Sequence, residues 1–213
     1  MNATVTNGMI AGTAALLLSA IVSPLFGARR RLAGWLNFLF ALAAGIAFAA
    51  AAAGAFAGGG GSAVLRIGGA SLHLLVDPLS SLFLLLVSFM GIVAAFYSIG
   101  YMEHYAKYRL SGYYLHYPLF LLGMIAIVTV DDLSIGFTIA WQLMTISSFF
   151  LIRFDRDDPS IVRSANKYLV LMEAAWLLIV IGAALVSRGA LGEPIHRLAS
   201  ELASAAPHRR GAV

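Results

Sequence analysis

The chain has 213 residues, of which 61% are hydrophobic and only 11% charged, and a formal net charge of +4. That balance excludes a soluble domain, which needs far more charge to cover its surface. There is no cysteine, so thiolate-bound iron–sulfur clusters and disulfides are excluded and the chain is expected to carry no cofactor of its own. The positive charge reads as Lys and Arg in cytoplasmic loops, not as a nucleic-acid surface.

A helix of about 20 apolar residues crosses a bilayer. On that basis the sequence predicts helices at 8–26, 33–56, 78–100, 113–130, 133–152 and 165–187. The first is expected to be retained, because Met1 to Gly8 lacks the positive charge that precedes a signal peptide's apolar stretch. After the second helix, Gly58–Ser62 reads as a glycine-rich turn. Residues 64–76 then read as an outer β-hairpin around Gly68–Gly69, a pair that supplies the positive φ angles of a two-residue turn. Asp77–Pro78 opens the third helix with a capping side chain and a proline suited to the first turn.

Nine of the fourteen basic residues lie on one side, in alternate loops or just beyond them: Arg29, Arg30, Arg31, Lys107, Arg109, Arg153, Arg156, Arg163 and Lys167. Their bias predicts a multi-pass protein of the cell's inner membrane with both termini outside the cytoplasm. Asp131–Asp132 then falls in a tight outer turn. The tail, 188–213, carries Ile195, Leu198 and Leu202 at helical spacing. It is expected to lie on the membrane surface or a partner before ending near His208-Arg209-Arg210. The fold class is therefore an all-α integral membrane protein of about six transmembrane helices, with a short β-hairpin between helices 2 and 3.

Ionisable side chains inside a bilayer are costly and mark function by default. Glu173, within the sixth helix, is the foremost instance, either as a proton relay or charge partner or as a carboxylate hydrogen-bonded to a neighbouring helix. Lys167 lies six residues earlier, about 240° around the helix, and reads as a snorkelling interfacial lysine or a buried relay. Gln142 heads a polar stripe with Thr138, Thr145, Ser147 and Ser148, which lines a water path or holds helices together. Asp77 reads as a helix cap or a proton-entry group. His104 and His116 sit among six tyrosines in an aromatic belt, where a histidine titrates near neutral pH but has no second ligand at metal-binding spacing. Asp155, Asp157 and Asp158 alternate with arginines as a solvated loop, and Ala49–Ala53 permits close helix packing. The proton-path candidates are Glu173, Gln142, Lys167, Asp77 and His116.

The run LLVDPLSSLFLLLVSFMGIVAAFYSIGYMEHY, Leu74 to Tyr105, resembles the antiporter-like membrane subunits of respiratory complex I, energy-converting and formate-linked hydrogenases, and multisubunit sodium/proton antiporters. FTIAWQLMTISSFFLI, Phe137 to Ile152, is similar to that family's W-E-L-M-(S/T)-x-x-S-(Y/F) helix, and NKYLVLMEAAWLLIVIGAAL, Asn166 to Leu185, to the helix that follows, most closely in the hydrogenase-type branch. The resemblance covers about residues 64–187 and implies a membrane subunit of an ion-translocating assembly. Its members carry further helices, including a broken one with a central lysine, and a glutamate where Gln142 stands here. Glutamine cannot titrate, so the expectation is a scaffold or partial proton path, not an autonomous pump.

The leading expectation is a non-catalytic, antiporter-like subunit of a proton-translocating redox complex, complex I-like or hydrogenase-type. The expected partners are other membrane subunits, the lipid bilayer, a separately encoded remainder of the subunit and a peripheral redox arm that holds the redox cofactors; no nucleic acid is expected. Two alternatives stand beside it: a subunit of a multisubunit cation/proton antiporter, and a non-transporting assembly subunit.

Overall fold

The structure, a computed structural model, describes residues 1–67, 70–105, 107–187, 191, 194–197 and 199–200. Six helices are long and apolar enough to cross a membrane. They are α1 (Ala3–Leu25), α2 (Arg30–Gly54), α3 (Pro78–Tyr101), α4 (Ser111–Thr129), α5 (Ile135–Ile152) and α6 (Pro159–Val186). A π-helical turn, Ala55–Gly59, extends α2, and a 3-10 turn, Met102–His104, extends α3. Strands β1 (Gly61–Ile67) and β2 (Ala70–Val76) pair antiparallel in a register from Gly61↔Val76 to Ile67↔Ala70. The turn pair Gly68–Gly69 lies outside the described residues, as do Leu198, Leu202 and residues 208–210 of the tail.

Four helices start earlier than the sequence reading places them, and for the first and sixth, which shift most, a cap explains it. The first begins at Ala3 instead of residue 8, because the Asn2 side chain accepts a hydrogen bond from the Val5 N–H at 3.0 Å and Val5 is fully buried. The sixth begins at Pro159 instead of residue 165, with Asp158 accepting from the Ser160 N–H at 2.7 Å and proline in the first turn. The hairpin likewise begins at Gly61 instead of residue 64: Gly61–Ala63 pair with Leu74–Val76, although alone they read as turn.

Within the bundle, α1 packs against α2 and α4, α2 against α3, and α4 against α5, while α6 leans chiefly on α5. Leu16, Ala41, Phe48, Leu84, Leu121 and Ile125 form the centre. The alanine-rich end of α2 allows close approach to α1: Ala51 and Ala52 are fully buried, and a Cβ on Gly8 would stand 2.6 Å from the Ala47 carbonyl oxygen.

The arginine loops gather at one end of the bundle. Arg30 donates to the carbonyls of Tyr105 (2.9 Å) and Tyr108 (2.7 Å), Arg31 pairs with Glu103 (2.7 Å), and Lys107 pairs with Asp155 and Asp157 (3.3 Å each). At the other end the hairpin is tied to the α4–α5 turn by a bridge between Leu74 and Val130 and by the Asp131 N–H donating to the His73 carbonyl at 2.8 Å.

Candidate functional site

Gln142 lies on α5, where the resemblance to antiporter-like subunits implies a glutamate, and Glu173 lies on α6. Packing of α6 on α5 brings the two together: the Gln142 Nε2 donates to the Glu173 Oε2 at 2.9 Å. Both side chains are half-buried. Thr138 and Thr145, at i−4 and i+3 from Gln142, lie on the same side of α5. Thr145 is fully buried with no partner for its hydroxyl, and the indole N–H groups of Trp141 and Trp176 are also buried and unpartnered. The seam thus holds one ionisable group, an amide tied to it and three polar atoms with spare hydrogen-bonding capacity.

The energetics of the pair are finely divided. A charged carboxylate at mid-membrane costs about 2.5–3.5 kcal/mol, and one hydrogen bond to a charged group returns about 1.5–3 kcal/mol. The bond therefore offsets much of the cost of placing the carboxylate there. The glutamine amide donates to a carboxylate, and after a flip its carbonyl can accept from a carboxylic acid.

The other residues singled out in the sequence lie elsewhere. Lys167 is exposed and borders an open groove along α6 with Arg156, Arg163 and Leu171, apart from Glu173. Asp77 is engaged in a capping box: it accepts from the Ser80 N–H at 2.7 Å while the Ser80 hydroxyl accepts from the Asp77 N–H at 2.8 Å. His116 belongs to the arginine-rich end, its ring stacked on Phe150 with centroids 4.5 Å apart and its Nδ1 buried without a partner. Ser147 is buried and accompanies the helix packing.

The tyrosine cluster read as an aromatic belt is in good part interior. Tyr114, Tyr117 and Tyr108 are buried, Tyr117 donates to the Gly91 carbonyl, and Tyr105, Tyr108 and Tyr113 each meet the Phe154 ring edge-on. The acidic loop is similarly structured. Asp157 is held below its ordinary carboxylate value by the Tyr108 hydroxyl and the Lys107 ammonium, and Asp158 by its capping bonds to Ser160. Lys107 is raised, foremost by Tyr108 and then by Asp157 and Asp155, against the cost of burial.

Sequence reasoning missed one group altogether. Asp131 and Asp132 sit in the outer turn yet are 3% and 0% exposed. Asp131 meets the His196 ring and takes the His196 N–H at 3.2 Å, while its own carbonyl accepts from the Ile195 N–H at 3.0 Å. Asp132 accepts from the N–H groups of His73, Ser134 and Gly136 and from the Ser134 hydroxyl. The available signal was the pairing of two carboxylates at a helix start, where free N–H groups need acceptors.

Comparisons with known proteins find both complex I and sodium/proton antiporter subunits. A family profile described as NADH-Ubiquinone oxidoreductase (complex I), chain 5 N-terminus, matches residues 65–110. The chain is 33% identical over 130 residues to the Na(+)/H(+) antiporter subunit A1 of Staphylococcus haemolyticus, covering 61% of this chain and 16% of that protein. It is 34% identical over 103 residues to the subunit A1 of Staphylococcus aureus, covering 48% and 12% respectively. Among solved structures, a chain of the Mrp complex from Dietzia sp. DQ12-45-1b superposes with a TM-score of 0.68 at 25% identity, over 90% of this chain and 20% of that one. The chain therefore spans between 12% and 20% of the length of these relatives.

Proposed function

We propose that this chain, similar to antiporter-like membrane subunits, corresponds to the leading helix block of a large subunit in a multisubunit cation/proton antiporter. The observation that carries the reading is the hydrogen bond between Gln142 and Glu173 inside the helical seam. Glu173 takes up and releases a proton, or supplies negative charge, beside an ion path that other helices complete. Gln142 holds the carboxyl group toward α5 in both states. Similarity to sodium/proton antiporter subunits A1 and to a Mrp complex chain supports the assignment. The partners are other membrane subunits, within the inner membrane. Arginine loops gathered at a single end support an orientation with both termini outside the cytoplasm.

Glu173→Gln in the assembled antiporter tests this directly. Sodium-induced collapse of the proton gradient in everted vesicles should fall by about a hundredfold, the lower end of what one positioned proton-transfer group contributes. Unchanged antiport at unchanged assembly would remove Glu173 from the path.

The complex I profile over residues 65–110 favours a second reading, a membrane subunit of a proton-translocating redox complex. In it the same seam serves redox-driven translocation, and the redox cofactors belong to partner subunits. Mass spectrometry of what co-purifies at fixed stoichiometry separates the two. A hydrogenase-like or dehydrogenase-like arm supports the redox complex, and small antiporter subunits alone support the antiporter.

A further inference from the structure

Where the loop at 107–110 meets the end of α5, Arg109, Arg153 and Arg156 surround a recess of about 280 Å³ whose walls include His116, Phe150 and Phe154. The local carboxylates are otherwise engaged. Asp155 takes the Tyr108 hydroxyl at 2.8 Å and, with Asp157, the Lys107 ammonium, while Asp158 caps α6. Among the described residues none of the three arginines forms an ion pair with a carboxylate, although Arg156 adds to the charge that holds Asp157 low. Arg153 lies 5.8 Å over the Phe149 ring and Arg156 5.6 Å over the Tyr108 ring. These ring contacts hold the guanidinium stems while leaving their donors available. His116 adds an unsatisfied ring nitrogen at the wall. Three guanidinium groups, with five N–H donors each, around one small recess suit a tetrahedral oxyanion that accepts several charge-assisted hydrogen bonds.

We infer that Arg109, Arg153, Arg156 and His116 form a binding site for a phosphate group at the arginine-rich end of the bundle. The site is separate from the Gln142–Glu173 seam and does not depend on the transport reading. Arg156 also borders the adjoining groove along α6, where Arg163 and Lys167 stand near Val170 and Leu171. Cations beside an apolar wall suit a phospholipid, with its headgroup in the recess and its chain along the helix.

The test uses the full chain purified in mild detergent, in two arms. In the first, the protein is equilibrated with mixed micelles of phosphatidylglycerol and phosphatidylcholine, and retained lipid is quantified after washing. Wild type should retain phosphatidylglycerol selectively. Arg109→Gln/Arg153→Gln should retain about tenfold less, Arg153→Lys an intermediate amount because it keeps charge but loses the fork, and Arg29→Gln the wild-type amount. In the second arm, lipid-free protein is melted in inorganic phosphate and in chloride at equal ionic strength. Stabilisation by phosphate that the double variant abolishes, without lipid selectivity, assigns the site to a soluble phosphate. Selectivity in the first arm assigns it to the lipid. If neither arm responds to Arg109 and Arg153, or if Arg29→Gln lowers retention as much as the double variant, the site does not exist.

Discussion

A carboxylate with no solvent exposure must be matched by donors, and Asp132 meets that demand with four: three backbone N–H groups and a hydroxyl, at 2.9–3.3 Å. Three come from the start of α5 and one from His73 on the hairpin, so this one side chain joins two elements. Asp132→Ala should leave those donors unsatisfied and destabilise the protein by about 2–4 kcal/mol. Asp132→Asn, which keeps an acceptor oxygen, should cost clearly less. Thermal denaturation of the two variants in detergent checks the order. In the sequence Asp131–Asp132 is legible only as a turn, because His73 lies 59 residues away and His196 lies 65 residues away. Glu173 differs: a lone carboxylate in an apolar run is visible by itself, and the missing charge at Gln142 names a partner. Its distance and the partner's orientation required the packing of α5 against α6.

At the scale of elements, the seam between α1 and α2 rests on absent side chains. A Cβ at Gly12 would stand 2.6 Å from the Phe48 ring, and one at Gly8 would stand 2.6 Å from a backbone oxygen that cannot rotate away. Gly8→Val should therefore cost about 1–3 kcal/mol through overpacking, measured as a lower melting temperature in detergent. Gly112→Ala, at a position with open space around it, should leave stability nearly unchanged. The six spans were legible because each is a long apolar run, and the hairpin because a glycine pair separates two short β-like runs. The start of α6 was less so. Asp158–Pro159 repeats the signal of Asp77–Pro78, but the following Arg163 reads as a loop charge, whereas the helix simply begins before the apolar stretch. Arg30 shows the converse limit: read as a topological charge, it is also a clamp on the carbonyls of Tyr105 and Tyr108.

For the molecule as a whole, the decisive feature is the loose outer helix. α6 rests chiefly on α5, and its Val170, Leu171, Leu178 and Leu185 are 68–76% exposed, an apolar face turned to lipid or to neighbouring helices. An ionisable group on such a helix, hydrogen-bonded back to α5, stands where this block meets what surrounds it. The resemblance to antiporter-like subunits was legible in the sequence, because D-P-L-S, Y-S-I-G-Y-M and the W-Q-L-M helix occur in order along it. The choice between an antiporter and a redox complex was not, since the shared helices serve both.

The central claim is that Gln142 and Glu173 act as one unit with a single carboxyl group between them. Exchanging the pair, Gln142→Glu with Glu173→Gln, and measuring sodium-dependent proton movement in everted vesicles of the assembled complex tests it most directly. Glu173→Gln alone should lose most activity and the exchange should restore a substantial part, because the carboxyl group and its amide partner are both still present across the same contact. An exchanged pair no better than Glu173→Gln, in a complex that assembles normally, would contradict it.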